Sequence, residues 1–225
     1  MPEDTVKGGE LLMNTPSTNQ QFNIYHWGPL LFKTKVKDED IKKLRTICDK
    51  ATENWSENLA GIIKDERKID TKEYLEVVTP YLKAYQQAYF NWYNLKVRHV
   101  SVQAAWVNFM RNGESNPPHI HHNCHLSSVL FVDIPKPIKE EQKKWKGTGE
   151  GPAALTFFTG NPQNFHTNSF GFKPDVGDFF IFPWNLTHSV STFRSPVTRV
   201  SIAANFMLHD DNIFEKKEGK ENDKT

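Results

Sequence analysis

The sequence is poor in three things. It has two cysteines, Cys48 and Cys124, in 225 residues. Two are too few for a disulfide framework, so the core must hold the chain together and a reducing, cytoplasmic setting is expected. No apolar run approaches the ~20 residues that a membrane-spanning helix needs. The opening stretch MPEDTVKGGELLMN is polar and acidic, unlike a secretory signal. No membrane partner is therefore expected. Nor is one charge in excess: 28 basic against 27 acidic residues leave +1. So close a balance removes the general electrostatic argument for nucleic acid as a partner.

What is present is an aromatic, turn-rich chain. It carries 16 Phe, 13 Pro and 12 Gly, a mixture that favours many short strands. Residues 1–20 show no period and are expected to be flexible. The segment from Phe22 to Val36 is apolar and aromatic and reads as one or two strands broken at Gly28-Pro29. Asp38 looks like an N-cap, and Ile41, Leu44 and Ile47 follow at helical spacing to about Glu53. A second helical stretch starts near Thr71. Thr79-Pro80 inside it has the form of an N-cap with a first-turn proline, which predicts two helices end to end. Leu82, Tyr85, Tyr89 and Trp92 continue the stripe.

From Arg98 the apolar period becomes two. VRHVSVQAAWVNFM, HLSSVLFVDIP, AALTFFT, GDFFIFP, HSVSTF and TRVSIAANFML are short, branched or aromatic segments bounded by turn residues. They predict a sandwich or barrel with the earlier helices against one face. Residues 135–152 are charged and turn-rich and read as a long loop. The tail from Asp210 is a charge run and reads as disordered. The expected organisation is a flexible stretch 1–20, one domain over 21–209 (helical support 38–97, β core 98–209) and a tail 210–225.

Chemistry concentrates in PPHIHHNCH, which holds four of the nine histidines. Imidazole is the commonest metal ligand. On a strand, His119 and His121 project to one face, and Ile120 and His122 to the other. His125 keeps the same parity, but Asn123-Cys124 is expected to bend the chain before it. A lone His-x-His pair is more often a polar turn than a metal site. The C-terminal part shifts that balance. His188 follows the apolar strand FFIFP, and eleven residues later comes TRVSIAANF. Arg199, Ser201, Ala203 and Asn205 share one face of this strand, with Val200, Ile202, Ala204 and Phe206 on the other. A face with a cation, a hydroxyl and an amide must look either into solvent or into a cavity inside a barrel. An unpaired arginine there is costly, and a bound carboxylate would offset the cost.

These segments together resemble the 2-oxoglutarate/Fe(II)-dependent dioxygenases. They are closest to the small oxygenases with a W-x-N, H-x-H, F-P…H, R-x-S-x-A-x-N order. The carriers are Trp106-Val107-Asn108, His119-Ile120-His121-His122, Ser127 through Phe131, Phe182-Pro183-Trp184 through His188, and Arg199 through Asn205, over about residues 100–207. The resemblance implies a double-stranded β-helix (a jelly roll, cupin-like) with Fe(II) on His119, His121 and His188. It implies 2-oxoglutarate chelating the iron, its far carboxylate on Arg199 and Ser201, with Asn108 and Asn205 as polar contacts. The implied reaction couples decarboxylation of 2-oxoglutarate to succinate with O2-dependent hydroxylation of a substrate the sequence does not name. A homodimer is compatible with this reading. Departures from the pattern are Ser128-Val129-Leu130-Phe131 for Gly-Val-Tyr-Tyr, Trp184-Asn185 after Phe-Pro, and His121 where the wider superfamily has a carboxylate. Trp184 reads either as a pocket wall or as a core residue, and His99 and His166 as ordinary. Two alternatives stay open: a three-histidine cupin dioxygenase that needs no 2-oxoglutarate, against which Arg199 argues, and a non-catalytic jelly-roll binding module.

Overall fold

The computed structural model describes residues 5–7, 10–12, 28–94, 97–160 and 168–209. His166, the tail from 210 and the Phe22 end of the first apolar segment lie outside the described residues. Two three-residue strands, β1 (Thr5–Lys7) and β2 (Glu10–Leu12), pair antiparallel within the stretch expected to lack structure. Of the first apolar segment, the described strand is β3 (Phe32–Lys35).

Helix α1 (Asp38–Lys50) buries Leu44, Ile47 and Cys48. Its N-cap is Lys37, not Asp38, and makes no side-chain cap. Asp38 instead opens an acidic first turn with Glu39 and Asp40, where carboxylates meet the positive end of the helix dipole. After β4 (Glu66–Lys68), helix α2 runs unbroken over Thr71–Tyr93. Asp70 caps it, its carboxylate accepting from the backbone N–H groups of Lys72 and Glu73 at 2.9 and 2.8 Å. The two helices expected here are one. Pro80 lies inside it, and the Thr79 hydroxyl donates to the Leu75 carbonyl at 2.7 Å and does not cap a new helix. The apolar stripe of Tyr74, Val78, Tyr81, Leu82 and Tyr85, buried along both halves, outweighs the hydrogen bond that proline removes. Asn94 ends the helix in the left-handed region at φ 54°.

The β core is two sheets. The larger contains, in spatial order, β3, β10 (Asp178–Pro183), β7 (Leu126–Asp133), β12 (Arg199–His209), β5 (His99–Met110) and β4, all antiparallel. The smaller has the order β6 (Asn116–His119), β11 (Thr187–Val190), β8 (Leu155–Phe158) and β9 (Ser169–Phe172). This is the sandwich that the period-two segments predict and the jelly roll that the resemblance implies. Period-two alternation divides β12 as expected: Val200, Ile202, Ala204 and Phe206 pack with Leu44, Tyr74, Val78 and Leu82 under the helices. Between the sheets a second core joins Met110, Val129 and Phe131 to Leu155, Phe157, Phe180, Phe182 and Val190. Each such side chain contributes about 1.5–3 kcal/mol by leaving water.

The stretch 135–152 is not all loop. Helix α3 spans Lys136–Lys144, with Pro135 at its N-cap and Ile138 and Gln142 buried one turn apart. A two-residue anchor among lysines and glutamates leaves too little apolar periodicity to be seen in the sequence. Cys48 and Cys124 are both free and buried. Among the described residues, no helix is long and apolar enough to cross a membrane.

Candidate active site

The inner face of the larger sheet and the facing end of the smaller one enclose a cavity of about 680 Å³. His119, His121, His188, Arg199, Ser201, Asn108 and Asn205 all line it. The cavity thus brings together every residue that the sequence singled out for the site.

His119 ends β6 and His188 sits on β11, directly opposite it in register. His121 lies two residues beyond the end of β6, so strand parity does not aim it. A backbone hydrogen bond from its N–H to the Trp184 carbonyl, 2.9 Å, ties this stretch to the strand turn before His188. Ile120 and His122 also line the cavity, contrary to strand alternation, because the chain has left the sheet. Asn123, at φ 56°, makes the bend expected before His125. His125 faces elsewhere, its Nδ1 accepting from the Leu208 N–H at 3.0 Å.

The nitrogens of His119, His121 and His188 all lie within 4.8 Å of one another, and those of His121 and His188 (Nε2 to Nε2) are 3.3 Å apart. Nδ1 of His119 is 2.7 Å from the Pro117 carbonyl, and Nδ1 of His188 is 2.9 Å from the Leu186 carbonyl. Those carbonyls call for a proton on Nδ1 and leave Nε2 as the free lone pair, the second-sphere arrangement of metal-binding histidines. Burial lowers all three basicities, taking His121 to about 3 and His188 to about 4, with the neighbouring imidazoles opposing any charge. Neutral imidazole is the ligating form, so the donor set suits a divalent metal. Among the described residues, no carboxylate joins the group. Phe157 and Phe182 flank His188 at ring distances of 6.0 and 4.7 Å and make one wall dry.

Arg199 is 2% exposed. Its Nη1 makes one long contact, 3.4 Å, to the Ala153 carbonyl, and Nε has no partner. The guanidinium carbon lies 5.2 Å from the Phe131 ring centre. Burial alone pulls its basicity down to about 10. A guanidinium with no anion inside a protein is unstable unless something supplies one. Asn205 adds a second orphan, since its buried Oδ1 is unpartnered. Ser201 is buried two residues along the same face. Asn108 is partly spoken for, donating to the Ser201 carbonyl at 3.4 Å.

Trp184 takes neither expected role. It is only partly buried, beside His122 in a shallow groove with Cys124, His125 and Met207, outside the main cavity. His99 has a ring partner, His209, at 4.7 Å. The site also contains a residue that the sequence did not reveal. Glu66, on β4, is 1% exposed, lines the cavity, and has neither carboxylate oxygen hydrogen-bonded. It lies in the run KDERKID, which looks like a solvated linker. No apolar period marks the strand there.

Residues 104–205, from β5 to β12, match the model of the family described as "Putative 2OG-Fe(II) oxygenase". Solved structures share the fold. One is a 2OG-Fe(II) oxygenase family oxidoreductase from Burkholderia pseudomallei, 11% identical, with TM-score 0.54 over 80% of this chain and 84% of that one. Another is a prolyl-4-hydroxylase from Pseudomonas putida, 14% identical, with TM-score 0.51 over 80% and 93%. A third is a Trichoplax adhaerens prolyl hydroxylase, solved with a hypoxia inducible factor peptide fragment, 10% identical, with TM-score 0.53 over 82% and 84%. No curated protein matches the sequence. Residues 104–205 thus resemble that family in sequence, and the larger part of the chain shares the fold of these solved structures.

Proposed function

We propose that the protein is an Fe(II)- and 2-oxoglutarate-dependent oxygenase that hydroxylates a small or side-chain substrate inside the 680 Å³ cavity. One observation carries the reading. A cluster of three neutral histidines and a buried guanidinium whose Nε lacks a partner face the same cavity, which is what a metal and a dicarboxylate require together. Bound Fe(II) and 2-oxoglutarate would supply the oxidation, O2 being consumed in forming succinate, CO2 and a hydroxylated product.

The chain's own residues do the rest. His119, His121 and His188 would hold the iron through Nε2, with Pro117 and Leu186 carbonyls fixing the rings of the first and last. Three protein donors would leave the metal open to the co-substrate. With His121 in place of a carboxylate, the metal site is one charge more positive, which favours an anionic co-substrate. Arg199 would pair with the far carboxylate of 2-oxoglutarate in a bidentate contact. The Ser201 hydroxyl and the amides of Asn205 and Asn108 are in place to add hydrogen bonds. Phe157 and Phe182 pack against His188, and Phe131 lies against the guanidinium.

The alternatives without 2-oxoglutarate, a cupin dioxygenase or a binding module, leave Arg199 unexplained, and no comparison supports them. The test is turnover of 2-oxoglutarate. Purified protein given Fe(II), O2 and 2-oxoglutarate should form succinate slowly even without its substrate. This succinate should be absent when Fe(II) is replaced by Zn(II). Failure to form any succinate, with iron bound stoichiometrically, would count against the proposal.

A further inference from the structure

We propose that Glu66 receives a cationic nitrogen of the primary substrate, so that the oxygenase acts on a molecule bearing an amine or guanidinium group. The chemistry rests on the oxygenase reading above, while the binding does not.

The cavity has two orphaned charged groups of opposite sign. Arg199 suits an anion. Glu66 lies elsewhere on the inner face, on the edge strand β4, two strands away from β12. It pairs in register with Asn108, which pairs in turn with Ser201. The row Glu66–Asn108–Ser201 thus runs from the edge of the sheet to the place proposed for 2-oxoglutarate. The two orphans do not satisfy each other, since neither the carboxylate oxygens of Glu66 nor Nε of Arg199 has a hydrogen-bond partner.

Burying a carboxylate without donors is among the costlier arrangements in a protein. The neighbours do not relieve it. Glu114 is also buried, but its oxygens accept from the backbone N–H groups of Arg111 at 2.8 Å and Lys64 at 3.3 Å. Its charge makes the surroundings of Glu66 more hostile to a second anion, and with burial it lifts the Glu66 carboxyl to about 7. Lys68, two residues along β4, is turned to Glu53 at 3.5 Å and to the Trp55 ring at 5.1 Å. Arg199 and the three site histidines apart, the described residues lining this cavity include no basic group but His122, which lies beyond the end of β6. A ligand cation would therefore meet an open acceptor. Trp106 lines the same cavity, and an indole ring favours cations over neutral groups. A neutral or anionic substrate would leave the carboxylate as costly as before.

The experiment uses the full chain loaded with Mn(II), which supports binding without turnover, and with 2-oxoglutarate added first. Isothermal titration calorimetry at about pH 8, where the amine stays charged, compares phenethylammonium with phenethyl alcohol. The ammonium should bind wild type about ten-fold or more tighter than the alcohol. Glu66→Gln should abolish that preference and Glu66→Asp should keep part of it. Equal affinities in wild type, which needs no variant to fold, would overturn the proposal, as would a preference that persists in Glu66→Gln. The preliminary 2-oxoglutarate titration separates the two readings. Heat from 2-oxoglutarate with no ammonium preference defeats this inference alone. An ammonium preference without 2-oxoglutarate binding supports it while defeating the assigned co-substrate.

Discussion

At the scale of single residues, the proposed function divides the site between metal and anion, and substitutions should separate the two. If His188 is a metal ligand as proposed, His188→Ala should lose stoichiometric Fe(II) or Mn(II), measured by metal analysis after dialysis. Arg199→Ala should keep the metal and weaken 2-oxoglutarate by ~10- to 100-fold, the scale of a charge-assisted hydrogen-bonded pair. Equal loss of metal in both variants would contradict the assignment. Glu66 makes a prediction about pH. Its folded-state value, about 7, lies above the ordinary 4.5, so between those two pH values the folded ligand-free protein holds a proton that the unfolded chain has released. Its contribution to stability is then intact below pH 4.5 and is lost as pH rises through about 7. The full loss is roughly 3 kcal/mol by the linkage constant. Denaturant titrations of Glu66→Gln against wild type should show the variant gaining stability relative to wild type across that window. A difference that does not change with pH would mean that Glu66 is solvated or paired.

Among the elements, α2 shows how packing overrides a local signal. Thr79-Pro80 reads as a helix start because those residue types favour one, yet the buried stripe from Tyr74 to Tyr85 runs through it. The true start is fixed by Asp70, whose carboxylate accepts two backbone N–H groups. Asp70→Ala should therefore cost about 1 kcal/mol, read as a lower denaturation midpoint with unchanged slope. Thr79→Ala should cost less than Asp70→Ala; the reverse order would restore the two-helix view. The legibility of the other elements follows the same physics. β12 was readable because a polar face alternates strictly with Val200, Ile202, Ala204 and Phe206, and the helices cover only one side. Helix α3 was not, because its packing needs only Ile138 and Gln142. Edge strand β4 was hidden because three charged residues in a row resemble a linker. With it went Glu66. The shared face of His119 and His121 was expected from strand parity, but His121 is held by a loop hydrogen-bonded to Trp184. The residues were readable from the sequence; the geometry that aims them was not.

For the molecule as a whole, two cores assign the parts different tasks. The core under α1 and α2 stiffens the outer face of the larger sheet, while the core between the sheets shapes one end and leaves the other as the cavity. The inner faces pair two orphaned charges with three neutral imidazoles, an arrangement that makes sense only with ligands present. The central claim is that metal and 2-oxoglutarate share this cavity. Its most direct test is an anaerobic titration of the Fe(II)-loaded protein with 2-oxoglutarate, followed in the visible spectrum. The account predicts a weak metal-to-ligand charge-transfer band that saturates with 2-oxoglutarate and needs a much higher concentration in Arg199→Ala. A spectrum unchanged by 2-oxoglutarate in iron-replete wild type would contradict it.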